Sequence, residues 1–123
     1  VTFGGGNIPA AGTADRYPNP WYETPDAGTT ELFIGPLPFA ATISNMRVIW
    51  TPASGAVNIT VLLRVNSVDT ALSATALATA GAASDLVDSV AVVAGDKISV
   101  VVRKSAGTTS AMGLFFVNLQ MTA

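Results

Sequence analysis

Apolar and polar positions alternate most regularly between residues 57 and 66, where Val57, Ile59, Val61, Leu63 and Val65 are separated by Asn58, Thr60, Leu62, Arg64 and Asn66. A period of two sends alternate side chains to opposite faces of a strand, whereas a helix would scatter these branched residues around its circumference. Shorter β-rich runs at 31–34, 42–51, 71–77, 86–93, 97–104 and 112–122 bring the predicted strands to seven. The breaks between them, such as Thr51-Pro52-Ala53-Ser54-Gly55, Asn66-Ser67-Val68-Asp69, Gly81-Ala82-Ala83-Ser84-Asp85 and Ala94-Gly95-Asp96, carry turn-forming residues. The alanine-rich piece 70–83 has helix propensity, but its Thr, Ser and Gly content and flanking strands favour a strand followed by a loop. This pattern predicts an all-β sandwich or barrel.

Two runs say more. Trp50 falls in the alternation class of Met46 and Val48, which predicts packing rather than an exposed ring. Run 112–122 is apolar on both sides, with Leu114 and Phe116 on one and Phe115, Val117, Leu119 and Met121 on the other. A single sandwich buries one face of each sheet, so the face bearing Leu114 and Phe116 is expected to meet another copy of the chain.

The first forty residues read differently. Six of the 7 prolines and six of the 11 glycines precede residue 40, a density that excludes a helix or an interior strand and predicts extended or looped chain over residues 1–28. Phe3, Ile8, Tyr17, Trp21 and Tyr22 punctuate it, and apolar side chains of that size usually dock on something. The chain therefore divides into an N-terminal arm, 1–29, expected to lie on a neighbouring surface, and a sandwich domain, 30–123.

Composition narrows the chemistry. With no histidine and no cysteine, thiolate catalysis, Ser-His-Asp catalysis, disulfides and most zinc sites are absent. A net charge of −2 offers no basic footprint for a phosphate backbone, and no apolar stretch approaches the roughly 18 residues of a membrane-spanning helix. Charged residues are only 11% of the 123 positions, although a small domain normally coats itself with them. Such a surface has little charge to desolvate on association, which points to burial against copies or a partner.

Candidate sites are few. Asp85 and Asp88, three apart, point to opposite faces if both lie in one strand and so do not form a glycosidase pair. Asp15, Asp26, Asp69 and Asp96 lack calcium-loop spacing. Lys97 and Lys104 are expected to be solvated at strand ends and unable to activate a serine. Gly4-Gly5-Gly6 leads into Asn7-Ile8-Pro9 and not into a helix that could hold phosphate. Asn58-Ile59-Thr60 matches the glycosylation acceptor pattern, a common chance match. Trp21, Tyr22 and Trp50 are the rings that could stack on a glycan. No catalytic set, cofactor or metal is expected.

The segments Ala41-Thr42-Ile43-Ser44-Asn45-Met46-Arg47-Val48, Arg64-Val65-Asn66 closing the run from Val57, Val90-Ala91-Val92-Val93-Ala94-Gly95-Asp96-Lys97-Ile98-Ser99-Val100 and the C-terminal apolar run resemble, in that order, the jelly-roll modules of bacteriophage virion proteins, relatives of the C1q and tumour-necrosis-factor type. The resemblance covers about residues 30–121. It implies a jelly-roll β-sandwich, a homotrimer built around the C-terminal strands with Leu114 and Phe116 at its interface, and a place in the virion. An aromatic, proline-rich arm (Phe3, Ile8, Tyr17, Trp21, Tyr22) suits anchoring on the major capsid protein, and no coiled-coil shaft accompanies it. The expectation is thus a capsid cement or decoration protein on the head surface, assembled in the host bacterial cytoplasm, with no contact to nucleic acid or membrane. The alternative is a receptor- or glycan-binding head domain of a tail or head fibre, using loop residues such as Asn66, Asp69, Ser84 and Thr108.

Overall fold

Ile59, Val61 and Leu63 are fully buried while Asn58 faces solvent, so the alternation read from the chain becomes a strand with one face in a core. In the computed structural model, which describes residues 1–4, 8, 14–20, 27–55, 57–105, 112–113 and 115–123, the described strands are β1 (Thr2–Gly4), β2 (Ala41–Ile49), β3 (Asn58–Val65), β4 (Val68–Leu77), β5 (Ala82–Val92), β6 (Ile98–Lys104) and β7 (Phe116–Thr122). They form two antiparallel sheets, one ordered β1-β7-β2-β5 and the other β4-β3-β6. The all-β expectation holds, and the architecture is that of a β-sandwich. Their inner faces share one core, in which Trp50 stacks on Phe115 with ring centroids 5.7 Å apart. The Trp50 indole N–H donates to the Ala78 carbonyl at 2.8 Å, satisfying its one polar atom inside.

Local irregularities set the registers. Asn45 adopts a left-handed conformation (φ 52°) within β2, and this bulge lets both Ile43 and Met46, an odd number apart, point inward. β3 and β4 are joined by the two-residue turn Asn66-Ser67, with φ 50° and 67°, the pair of positive angles whose twist matches a hairpin. A single 3-10 turn, Ala78–Ala80, ends at left-handed Gly81 and carries the chain from β4 in one sheet to β5 in the other.

Three expectations are corrected. Run 31–34 is not a strand: Ile34 alone bridges β6, exchanging both backbone hydrogen bonds with Ile98, before Gly35-Pro36 diverts the chain. The stretch 81–85, read as a turn, is mostly β5, because Ala82 to Asp85 find ladder partners from Ile49 back to Met46, and backbone pairing outweighs the poor strand propensity of alanine and serine. The described part of the N-terminal arm is not a separate body. β1 pairs with β7, Ile8 bridges Met112, and Arg16 bridges Val102 of β6. Gly4, at φ 121°, lies where a Cβ would fall 1.9 Å from the Phe115 carbonyl oxygen, so only glycine allows this close approach. β1 is nevertheless an edge strand, as a proline- and glycine-rich segment requires.

Candidate interaction surface

The outer faces of the two sheets differ in kind. Across β4-β3-β6 the outward residues include Arg64, Ser99 and Arg103, and the N-terminal chain lies over them. Arg103 holds Asp15 through two hydrogen bonds of 3.0 and 3.1 Å and reaches Asp69 at 2.5 Å. Arg64 donates to the Tyr17 hydroxyl at 3.0 Å and pairs with Glu31 at 3.3 Å, while Ser99 donates to Glu31 at 2.6 Å. Arg64 Nε is 3.0 Å from Asp69 Oδ1, an ion-pair contact without hydrogen-bond geometry. Hydrogen bonding to Arg103 holds the Asp69 carboxyl below the ordinary carboxylate range against the opposing effect of burial, and the same carboxylates raise the Arg103 guanidinium. The cluster ties Asp15, Tyr17 and Glu31 to the sheet, on whose outward face Ser99 and Val101 are fully buried.

Among the described residues nothing roofs the outer face of β1-β7-β2-β5 in this way, and Thr42, Arg47 and Ile49 on it are exposed. The registers place Phe116, Ile49 and Ala82 in one row, Asn118, Arg47 and Ser84 in the next, then Gln120, Ser44 and Ser89, then Thr122, Thr42 and Ala91. Arg47 is the one ionisable side chain in these rows. Asn118 is tied to Thr2 and Gln120 to Asn45, each at 2.5 Å, which stiffens the polar part. At the last row the face dips into a shallow apolar depression of about 450 Å3 between Thr42, Ala91, Val93 and Thr122. Beside the face lies an irregularity in β5: the register passes from Met46↔Asp85 to Ser44↔Ser89, so Leu86, Val87 and Asp88 oppose Asn45 alone and bulge outward. Asp85 clamps this bulge, its Oδ1 accepting the Val87 and Asp88 N–H groups at 3.0 Å each and its Oδ2 accepting the Ser73 N–H of β4 at 3.1 Å. Those N–H groups, led by that of Asp88, hold the Asp85 carboxyl below its ordinary pKa.

Of the residues expected to anchor the chain on a capsid, Phe3, Ile8 and Tyr17 are buried within this chain itself, Phe3 and Ile8 in its core, so here they serve the sandwich and not a neighbouring surface. Trp21 and Tyr22 lie outside the described residues, as does Leu114 of the expected trimer interface. Phe116 is half-buried on the outer face of β7, next to exposed Ile49. Trp50 is interior. Asn66 donates to Asp96 at 2.8 Å and accepts from the Lys97 N–H, and Asp69 is held by the two arginines, so these loop residues of the glycan alternative are engaged within the chain. Ser84 lies on the outer face and Thr108 lies outside the described residues. Asp96 accepts the Val93 N–H, which with Asn66 lowers its pKa and makes it the turn residue expected. Lys104, expected in solvent, is buried, and burial, aided by the charge of Arg16, lowers its pKa.

Among the described residues, no three acidic side chains gather as a metal site. Asp69 bridging two arginines, and Asp85 clamping a bulge, were not legible in sequence, because each joins residues from separate elements. No family model, no curated protein and no solved structure matches this chain.

Proposed function

We propose that this chain is a structural virion protein, a jelly-roll module that associates as a homotrimer and decorates a bacteriophage head. The carrying observation is the open, four-stranded face with one ionisable side chain in its rows, set against an opposite face that the chain covers for itself. Three strands paired over about seven residues and the three-residue β1, spaced about 4.8 Å apart, span roughly 380 Å2. That is about half of the ~800 Å2 a subunit contributes to a stable interface. Exposed Leu86, Val87, Val93 and Phe39 on flanking segments supply apolar area toward the rest.

The strand order supports the jelly-roll reading. The bridge of Arg16 to Val102 lies on the side of β6 away from β3, giving a fourth position in the second sheet, so that four positions face four. Two facing four-stranded sheets are the layout of a jelly roll. Trimers on a head surface would act mechanically, burying apolar area at about 25 cal/mol per Å2, less the cost of association, at many sites.

Sedimentation of the purified chain, followed by co-sedimentation with DNA-filled heads that lack surface proteins, tests this. A species three times the 12.5 kDa chain mass that travels with heads is the expected result. A monomer that ignores heads overturns the reading, and a trimer that binds host-cell glycans instead of heads transfers it to the fibre-tip alternative.

A further inference from the structure

Single exposed apolar side chains are ordinary on a protein surface, but the β5 bulge is a different object. Val87 is 92% exposed and Leu86 48%, and both sit on backbone pinned by the Asp85 carboxylate to its own strand and to β4. An apolar tip held rigid before any contact loses little conformational entropy when it is covered. Next to that tip stands exposed Asp88, which enters no ion pair among the described residues.

The open face of β1-β7-β2-β5 holds the complementary arrangement. Ile49, 53% exposed, and half-buried Phe116 stand side by side at one end, and exposed Arg47 lies two residues from Ile49 on the same face of β2, about 7 Å away. Arg47 also enters no ion pair among the described residues. One surface thus presents an apolar tip with a carboxylate, and the other an apolar patch with a guanidinium. Within one chain the tip and the patch stand apart: Leu86, Val87 and Asp88 oppose Asn45, and Ile49 lies four residues further along β2, about 13 Å away.

We propose that the Leu86–Val87–Asp88 bulge of one copy seats on the Ile49–Phe116 end of a second copy, with Asp88 pairing to the second copy's Arg47. Tip and patch are different surfaces, so the contact is directional, each copy giving its bulge to a neighbour. The inference rests on the self-association in the reading above and names the side chains that make it.

Sedimentation of the full chain over a dilution series, with four variants, decides the matter. Arg47→Asp and Asp88→Arg each put like charges together and are expected to weaken association at least about tenfold. The doubly exchanged Arg47→Asp/Asp88→Arg chain restores the pair and is expected to recover it. Val87→Ser is expected to weaken association without a charge change. All of these positions are exposed, so unchanged far-UV circular dichroism is expected for every variant. If the native chain associates and these substitutions leave its assembly unchanged, or if the exchange fails to rescue it, this contact is wrong while the trimeric reading stands. If the native chain is a monomer at every concentration, both fall together.

Discussion

Ser67 has φ 67° in the turn between β3 and β4, a left-handed angle that costs any residue with a Cβ and costs glycine nothing. Ser67→Gly keeps the Ser67 carbonyl that Arg64 uses as an acceptor. Its stability to denaturant is expected to rise by about 0.5 kcal/mol, the relief of strain being partly offset by the freer unfolded chain; a fall would show that the serine side chain contributes more than its backbone angle costs. Phe3 carries the opposite lesson. In the sequence it reads as an anchor for a neighbouring surface, because a side chain of that size in a proline- and glycine-rich segment needs something to dock on. In the fold it is fully buried, paired through its backbone with Val117. Phe3→Ala is therefore expected to lower the unfolding free energy by about 3–5 kcal/mol, measured by urea titration. A loss under 1 kcal/mol, with partner binding gone, would return Phe3 to the role of an anchor.

At the scale of elements, the two β-sheets use carboxylates in a consistent way. Asp69 ties β4 to the arginines of β3 and β6, Asp85 ties β5 to β4, and Asp96 ties the turn before β6 to the turn after β3. All three carboxyls lie below their ordinary pKa, Asp69 chiefly through Arg103, Asp85 through the Asp88 N–H and Asp96 through the Val93 N–H. A group whose pKa is depressed by folding adds stability above its unfolded pKa and loses it as pH falls through the folded value. The melting temperature is expected to be flat above about pH 5 and to fall below about pH 4. Asp85→Asn, which keeps an acceptor but not the charge, is expected to melt lower at neutral pH and to show a shallower acid fall. A melting temperature independent of pH down to 2 would mean that these links carry no net stability. The strands themselves were legible wherever alternation was clean, as in β3. They were misplaced where pairing partners, and not side chains, made the decision, as in the alanine and serine stretch that opens β5.

Over the whole molecule, scarcity of charge acquires a location. The chain has only six cationic residues, and Arg64 and Arg103 are used to bind its own N-terminal segment over one sheet. This leaves the other sheet with Arg47 alone and concentrates the unshielded surface on one side, where an assembly contact is proposed. The all-β class, the packing role of Trp50 and the turn role of Asp96 followed from the amino-acid order, because alternation, turn chemistry and side-chain size act over a few neighbouring residues. The tertiary structure alone decided that the described part of the N-terminal segment folds onto its own sandwich, that Asp85 clamps a bulge and that, among the described residues, one outer face is roofed while the other is open. Each of these joins residues distant in the chain, whose meeting depends on which strands pair and in what register, and local patterning carries no record of that choice.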